Sequence, residues 1–108
     1  MNPGSVFLRY CKRWWYQDRI RVDRRDSRLL WLEPGSVIVL GRNRLRIRER
    51  TTTDHCIQYY CEGTQEGNLD IHVTPTDSLS RPRLELFWHA AGTTTKVDPD
   101  ELEIYAHQ

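Results

Sequence analysis

From residue 37 onward the chain is a series of short apolar–polar alternations, each cut off by glycine, proline or a run of small polar residues. A period of two is the side-chain period of an extended strand, so this pattern restricts the region to β-structure. Val37-Ile38-Val39-Leu40 follows the turn formers Glu33-Pro34-Gly35-Ser36. Gly41-Arg42-Asn43 separates it from the strictly alternating Leu45-Arg46-Ile47-Arg48, and two runs this close predict a hairpin. Ile57, Tyr59 and Cys61 mark one face of a third strand, which leaves through the polar, glycine-punctuated segment Gly63 to Asn68. Leu69, Ile71 and Val73 mark a fourth, with Asp70 and His72 on its other side.

Thr74 to Pro82 carries two prolines, which remove ladder donors, and reads as the longest loop. Leu84, Leu86 and Trp88 give a fifth strand that stops at Ala90-Ala91-Gly92. Asp98-Pro99-Asp100-Glu101 has an acid at the N-cap and proline at the first helical position, the pattern of a one-turn cap. Leu102 and Ile104 then supply a last short strand. The expected class is all-β, a small antiparallel barrel or roll of five to six short strands. This order of strands resembles small SH3-like or OB-like barrels at the level of fold, a likeness that implies no particular function.

A chain of 108 residues has room for one core. Residues 29–108 are expected to form the β-domain and residues 1–28 an N-terminal basic and aromatic arm. In the arm, Phe7, Tyr10 or Cys11, and Trp14 fall at helical spacing behind a possible Ser5 cap. Ile20 and Val22 alternate with Arg19, Arg21 and Asp23 as a strand would, and Asp23 to Arg28 is all polar, as a turn or linker. Cys11, Cys56 and Cys61 are odd in number with no framework spacing, and the opening residues Met1 to Arg9 hold no apolar stretch of a secretory signal. Reduced thiols in a cytoplasmic protein are therefore expected. No apolar run approaches the roughly 18–20 residues of a membrane span, so no membrane partner is expected.

Charge supplies the one functional clue of any size. Residues 1–50 carry 13 basic and 5 acidic groups, a net of +8; residues 51–108 carry 3 and 10, a net of −7, which together give the chain's +1. Either the halves pair with each other or the basic half meets an anionic partner. Arg44, Arg46, Arg48 and Arg50 occupy every second position, so on an unbroken strand all four share one face, about 6.7 Å apart. Adjacent members then repel by only about 0.6 kcal/mol in bulk water, so the row by itself demands no ligand. As a binding surface it would hold phosphates in guanidinium forks. As a structural feature it would be matched across strands by acids such as Glu62, Glu85 or Glu103.

The arm segment Arg9 to Tyr16, with Lys12, Arg13, Trp14 and Trp15 at its centre, interleaves cations with rings, as nucleic-acid contacts require. The same tryptophans serve equally well to plug one end of a barrel while the cations reach to water. His55, Cys56 and Cys61 lack the paired spacing of a zinc site, and no metal or other cofactor is expected. Cys61 with His72 or His89, oriented by Asp70, is the available nucleophile–base pairing, but no local signature joins them and no enzyme is expected. The threonine runs Thr51 to Thr53 and Thr93 to Thr95, with the long loop, are recognition loops or plain hairpin connections. The expectation is a non-catalytic binding module for an anionic partner, nucleic acid first and an acidic protein surface second. The alternative is a structural or assembly protein that forms a homodimer or protein–protein interface.

Overall fold

Apolar residues two apart lie on one side of an extended chain, so each alternating run must turn that side toward a shared core. A computed structural model, describing residues 19–63, 66–76 and 82–107, shows how the chain meets this requirement. Eight strands join one antiparallel sheet: β1 (Arg19–Val22), β2 (Val37–Leu40), β3 (Asn43–Thr52), β4 (Ile57–Gly63), β5 (Asn68–Thr74), β6 (Arg83–Ala90), β7 (Thr93–Val97) and β8 (Leu102–His107). Two short 3-10 helices, η1 (Ser27–Trp31) and η2 (Pro99–Glu101), connect them. Among the described residues, no helix is long and apolar enough to cross a membrane.

Strands β2 to β7 pair each with the next, whereas β8 returns to lie between β1 and β2. The link from Val97 to Leu102 reaches about 18 Å at most. In a flat sheet the six strand spacings between β7 and β8 would span about 29 Å. The sheet is therefore curled, and η2 packs against β6 on the way back. It is not closed, since β1 and β7 remain its two edges. The expected all-β antiparallel class is observed, but with eight strands where five to six were expected and without closure into a barrel. The two added strands are β1, inside the segment assigned to the arm, and β7, whose Thr93-Thr94-Thr95 run has no apolar alternation to announce it. Helix η1 also runs through position 28, where the arm was expected to end.

The concave face is the core. In register, Tyr59 on β4 faces Ile71 on β5, which faces Leu86 on β6, and all three are fully buried. On the other flank Ile38 lies between Leu45 and Ile104, again buried throughout. Each of β4 and β5 alternates a buried with a half-buried residue, as the sequence pattern requires. The β5 end stays tight because Gly67 (φ +107) has no side chain: a Cβ there would lie 2.5 Å from Cζ2 of Trp88.

One end of the curl is sealed by η1. Asp26 caps it, its carboxylate accepting from Arg28 N–H at 2.9 Å, and Leu29 and Leu32 bury their side chains in the core. The Tyr59 hydroxyl ties this segment to β4: it donates to the Leu29 carbonyl at 2.6 Å and accepts from Leu32 N–H at 3.0 Å. Both bonds are buried.

A β-bulge interrupts β3. Ile47 pairs with Cys61 and Glu49 with Tyr60, leaving Arg48 as the extra residue. A bulge of this kind turns the strand by one residue, so positions beyond it exchange faces. Arg50 thereby faces Tyr59, on the core side.

Replacing Tyr59 with phenylalanine keeps the ring and strands the Leu29 carbonyl and the Leu32 amide without a partner. Stability should fall by about 1–3 kcal/mol. An unfolding curve in urea with an unchanged midpoint would show that the hydroxyl does not hold η1.

Candidate functional site

The arginine row is split by the bulge. Arg44, Arg46 and Arg48 stand exposed on the convex face, while Arg50 is half-buried on the other side of the strand. The expectation that all four share one face is thus corrected, and the cause is the extra residue at position 48. Arg50 donates through Nη2 to the Leu30 carbonyl at 3.0 Å and through Nη1 to Thr52 Oγ1 at 3.2 Å. Its guanidinium carbon lies 5.7 Å from the ring centroid of Trp31.

Of the three acids considered as partners for the row, one is beside it. Glu62 lies opposite Arg46 in register, and its Oε2 is 3.5 Å from Arg48 Nε. Glu62 also accepts from the Tyr60 hydroxyl at 2.8 Å, and that bond holds the phenol's proton more tightly than usual. Glu85 instead serves Arg83 and Lys96, at 3.7 and 3.6 Å. Glu103 lies 4.0 Å from Arg21.

The chain's opposite charges meet at the β1–β8 end of the sheet and again between β3 and β4. Arg21 pairs with Glu103, Arg24 with Asp100 and Arg48 with Glu62, each joining the basic half to the acidic half. All six side chains keep between 39% and 68% of their surface in water. Exposed pairs of this kind contribute only about 0–1 kcal/mol each, so they neutralise without locking.

Lys12, Arg13, Trp14 and Trp15 lie outside the described residues. A different aromatic, passed over in the sequence, stands at the site. Trp31 is 74% exposed, on the last position of η1. The available signal was the run Leu29-Leu30-Trp31-Leu32: four consecutive apolar residues cannot all face one core.

Cys61 and the histidines of β5 and β6 lie on different faces of the sheet. Cys61 is buried on the concave side, where desolvation, reinforced by the nearby Asp70 charge, drives its acidity far below that of a free thiol. His72 and His89 occupy the convex side in register with half-buried positions, so neither meets Cys61 as a base. His55 and Cys56 belong to the turn before β4, and no group of three metal-ligating side chains occurs among the described residues.

Asp70 does bond a histidine, but that histidine meets a threonine hydroxyl and not the Cys61 thiol. His89 Nε2 is 2.7 Å from Asp70 Oδ2, and its Nδ1 is 2.8 Å from Thr94 Oγ1. With Nε2–H donating to the Asp70 carboxylate, Nδ1 is left to accept from the threonine hydroxyl. His89 and Thr94 are direct cross-strand partners, so the chain of bonds fastens edge strand β7 to β6. Thr93 to Thr95 is therefore a strand, not a recognition loop, and Thr51 and Thr52 end β3. Most of the Thr74 to Pro82 loop lies outside the described residues.

No protein-family model matches this chain, and no curated protein or solved structure does so either.

Because only a thiolate attacks, Cys61 should resist an aromatic disulfide reagent in the folded protein and react once the chain is unfolded in denaturant. Mass mapping that finds Cys61 modified within minutes under native conditions would contradict its burial.

Proposed function

We propose that this chain is a non-catalytic binding module that engages an anionic partner, single-stranded nucleic acid first, through the convex face of β3. One observation carries the reading: Arg44, Arg46 and Arg48 are exposed together on one strand, where Arg46 lies opposite Glu62 in register and Arg48 approaches the same half-exposed carboxylate at 3.5 Å. The Arg48–Glu62 contact is long and wet, so a phosphate can replace the carboxylate at little cost. Guanidinium forks at two-residue spacing suit a flexible chain of phosphates, which adjusts to the strand where a rigid duplex would not. The same three groups would dock an acidic protein surface.

A second reading is a structural or assembly protein whose charges are satisfied internally. The ion pairs Arg21–Glu103, Arg24–Asp100 and Arg48–Glu62 favour it, and edge strands β1 and β7 offer unpaired backbone to a second copy. It requires a solution mass above the 12.9 kDa monomer.

Neutralising three phosphates of a single strand gives a log–log salt slope of about −2. Between roughly 50 and 200 mM salt, affinity for a short oligonucleotide should fall about 16-fold on that slope. Joint Arg46→Glu and Arg48→Glu substitution should abolish retention without altering the unfolding free energy by more than about 1 kcal/mol. Binding indifferent to salt, or to both charge reversals, excludes this reading; a dimeric mass by light scattering without oligonucleotide retention supports the second.

A further inference from the structure

Among the described residues, Trp31 and Ile20 are the large hydrophobic side chains left exposed, and Trp31 is by far the more open at 74% against 37%. An indole of this size ordinarily contributes its area to a core or an interface. Here its own neighbours prevent it from folding down. Leu29 and Leu32 are bound through the Tyr59 hydroxyl, and the Leu30 carbonyl is bound by Arg50 Nη2. Each residue around Trp31 in the segment 29–32 is thus tied to the sheet, and the ring is held outward on a fixed base.

Arg50 completes the arrangement. Its guanidinium is pinned at both terminal nitrogens, its Nε is buried without a hydrogen-bond partner, and it lies near the Trp31 ring. Arg28, on the same 3-10 helix, is exposed. The site shares β3 with the basic face but lies on the other side of the strand. Strand β2 pairs with β3 only as far as Arg46, and beyond Ile47 the chain on that side is η1, reached through the Arg50–Leu30 bond. Arg48 and Arg50 are about 6.7 Å apart along the strand, one on each face.

We propose that Trp31 is a stacking anchor for an unpaired nucleobase of the single strand whose phosphates the convex arginines contact. The inference rests on the binding reading above and assigns it a residue that the arginines do not include. A flat ring beside fixed cations suits a base with its phosphate. Because Trp31 and Arg50 are already immobilised, little ordering is required when the base arrives. Stacking of this kind tolerates any base, since every base has a π-face.

The test uses the full chain, a short single-stranded oligothymidylate and, as a base-free polyanion, inorganic polyphosphate. Trp31→Ala should weaken oligonucleotide binding by about 5- to 150-fold, the range that loss of one stacked base implies. The salt slope should not change, Trp31→Phe should recover most of the loss, and polyphosphate binding should be unaffected. An exposed side chain leaves the unfolding midpoint almost unmoved, which separates these results from misfolding. Equal oligonucleotide affinity of Trp31→Ala and the unaltered protein overturns the anchor while leaving the arginine surface standing. An equal loss for polyphosphate also overturns it, as does a Trp31→Ala effect confined to the oligomeric mass, which assigns the ring to a protein interface. If the unaltered protein retains no oligonucleotide at all, the surface and the anchor fall together.

Discussion

Arg48 is one residue more than the β3–β4 ladder can pair, and the displacement it causes reaches every feature of functional interest. Before it, Leu45 and Ile47 enter the core and the arginines between them face water. After it, the strand has turned over, and Arg50 is delivered beside the buried Tyr59. A cation on the concave face would be costly without partners. It is accommodated because the bulge lies at the end of the sheet, where the Leu30 carbonyl and Thr52 hydroxyl accept from it and the Trp31 ring lies beside it.

The same end of the sheet depends on Tyr59. Its ring belongs to the core, fully buried between neighbouring strands, while its hydroxyl bonds the backbone of Leu29 in η1 and of Leu32 just after it. The segment acts as a plug at this end of the curled sheet, with Leu29 and Leu32 buried in the core. The plug has a second consequence: with Leu29 and Leu32 directed inward, the position between them and beyond Leu30 has nowhere to go but outward. Core closure and an exposed indole are two outcomes of one local geometry.

Charge follows topology in a comparable way. The acidic end of the chain does not form an acidic end of the molecule, because β8 crosses back to lie between β1 and β2. Glu103 and Asp100 thereby meet Arg21 and Arg24. These pairs are too exposed to specify the fold. Their effect is to lower the net field of the basic region.

Strands β2 to β6, β8 and the acidic turn before it were legible from residue order alone, because period-two alternation and an Asp-Pro cap are local signals that require no partner. The concave set led by Ile38, Leu45, Tyr59, Ile71 and Ile104 follows from that same alternation. Strand β7 was not legible: Thr-Thr-Thr-Lys-Val has no apolar period, and it is a strand because β6 offers it a ladder and His89 a bond to Thr94. The bulge was hidden for the opposite reason, since arginine recurs at every second position straight through it and the alternation gives no sign of a change of face. Only the fixed pairing of β4, with Tyr59 and Cys61 both committed to the core, decides that β3 must slip by one. Residue order determined which segments are extended and which sides of them are apolar. Which arginine faces water, which tryptophan stays out and how far the sheet closes were decided by contacts between residues distant in the chain, which exist only once the strands are side by side.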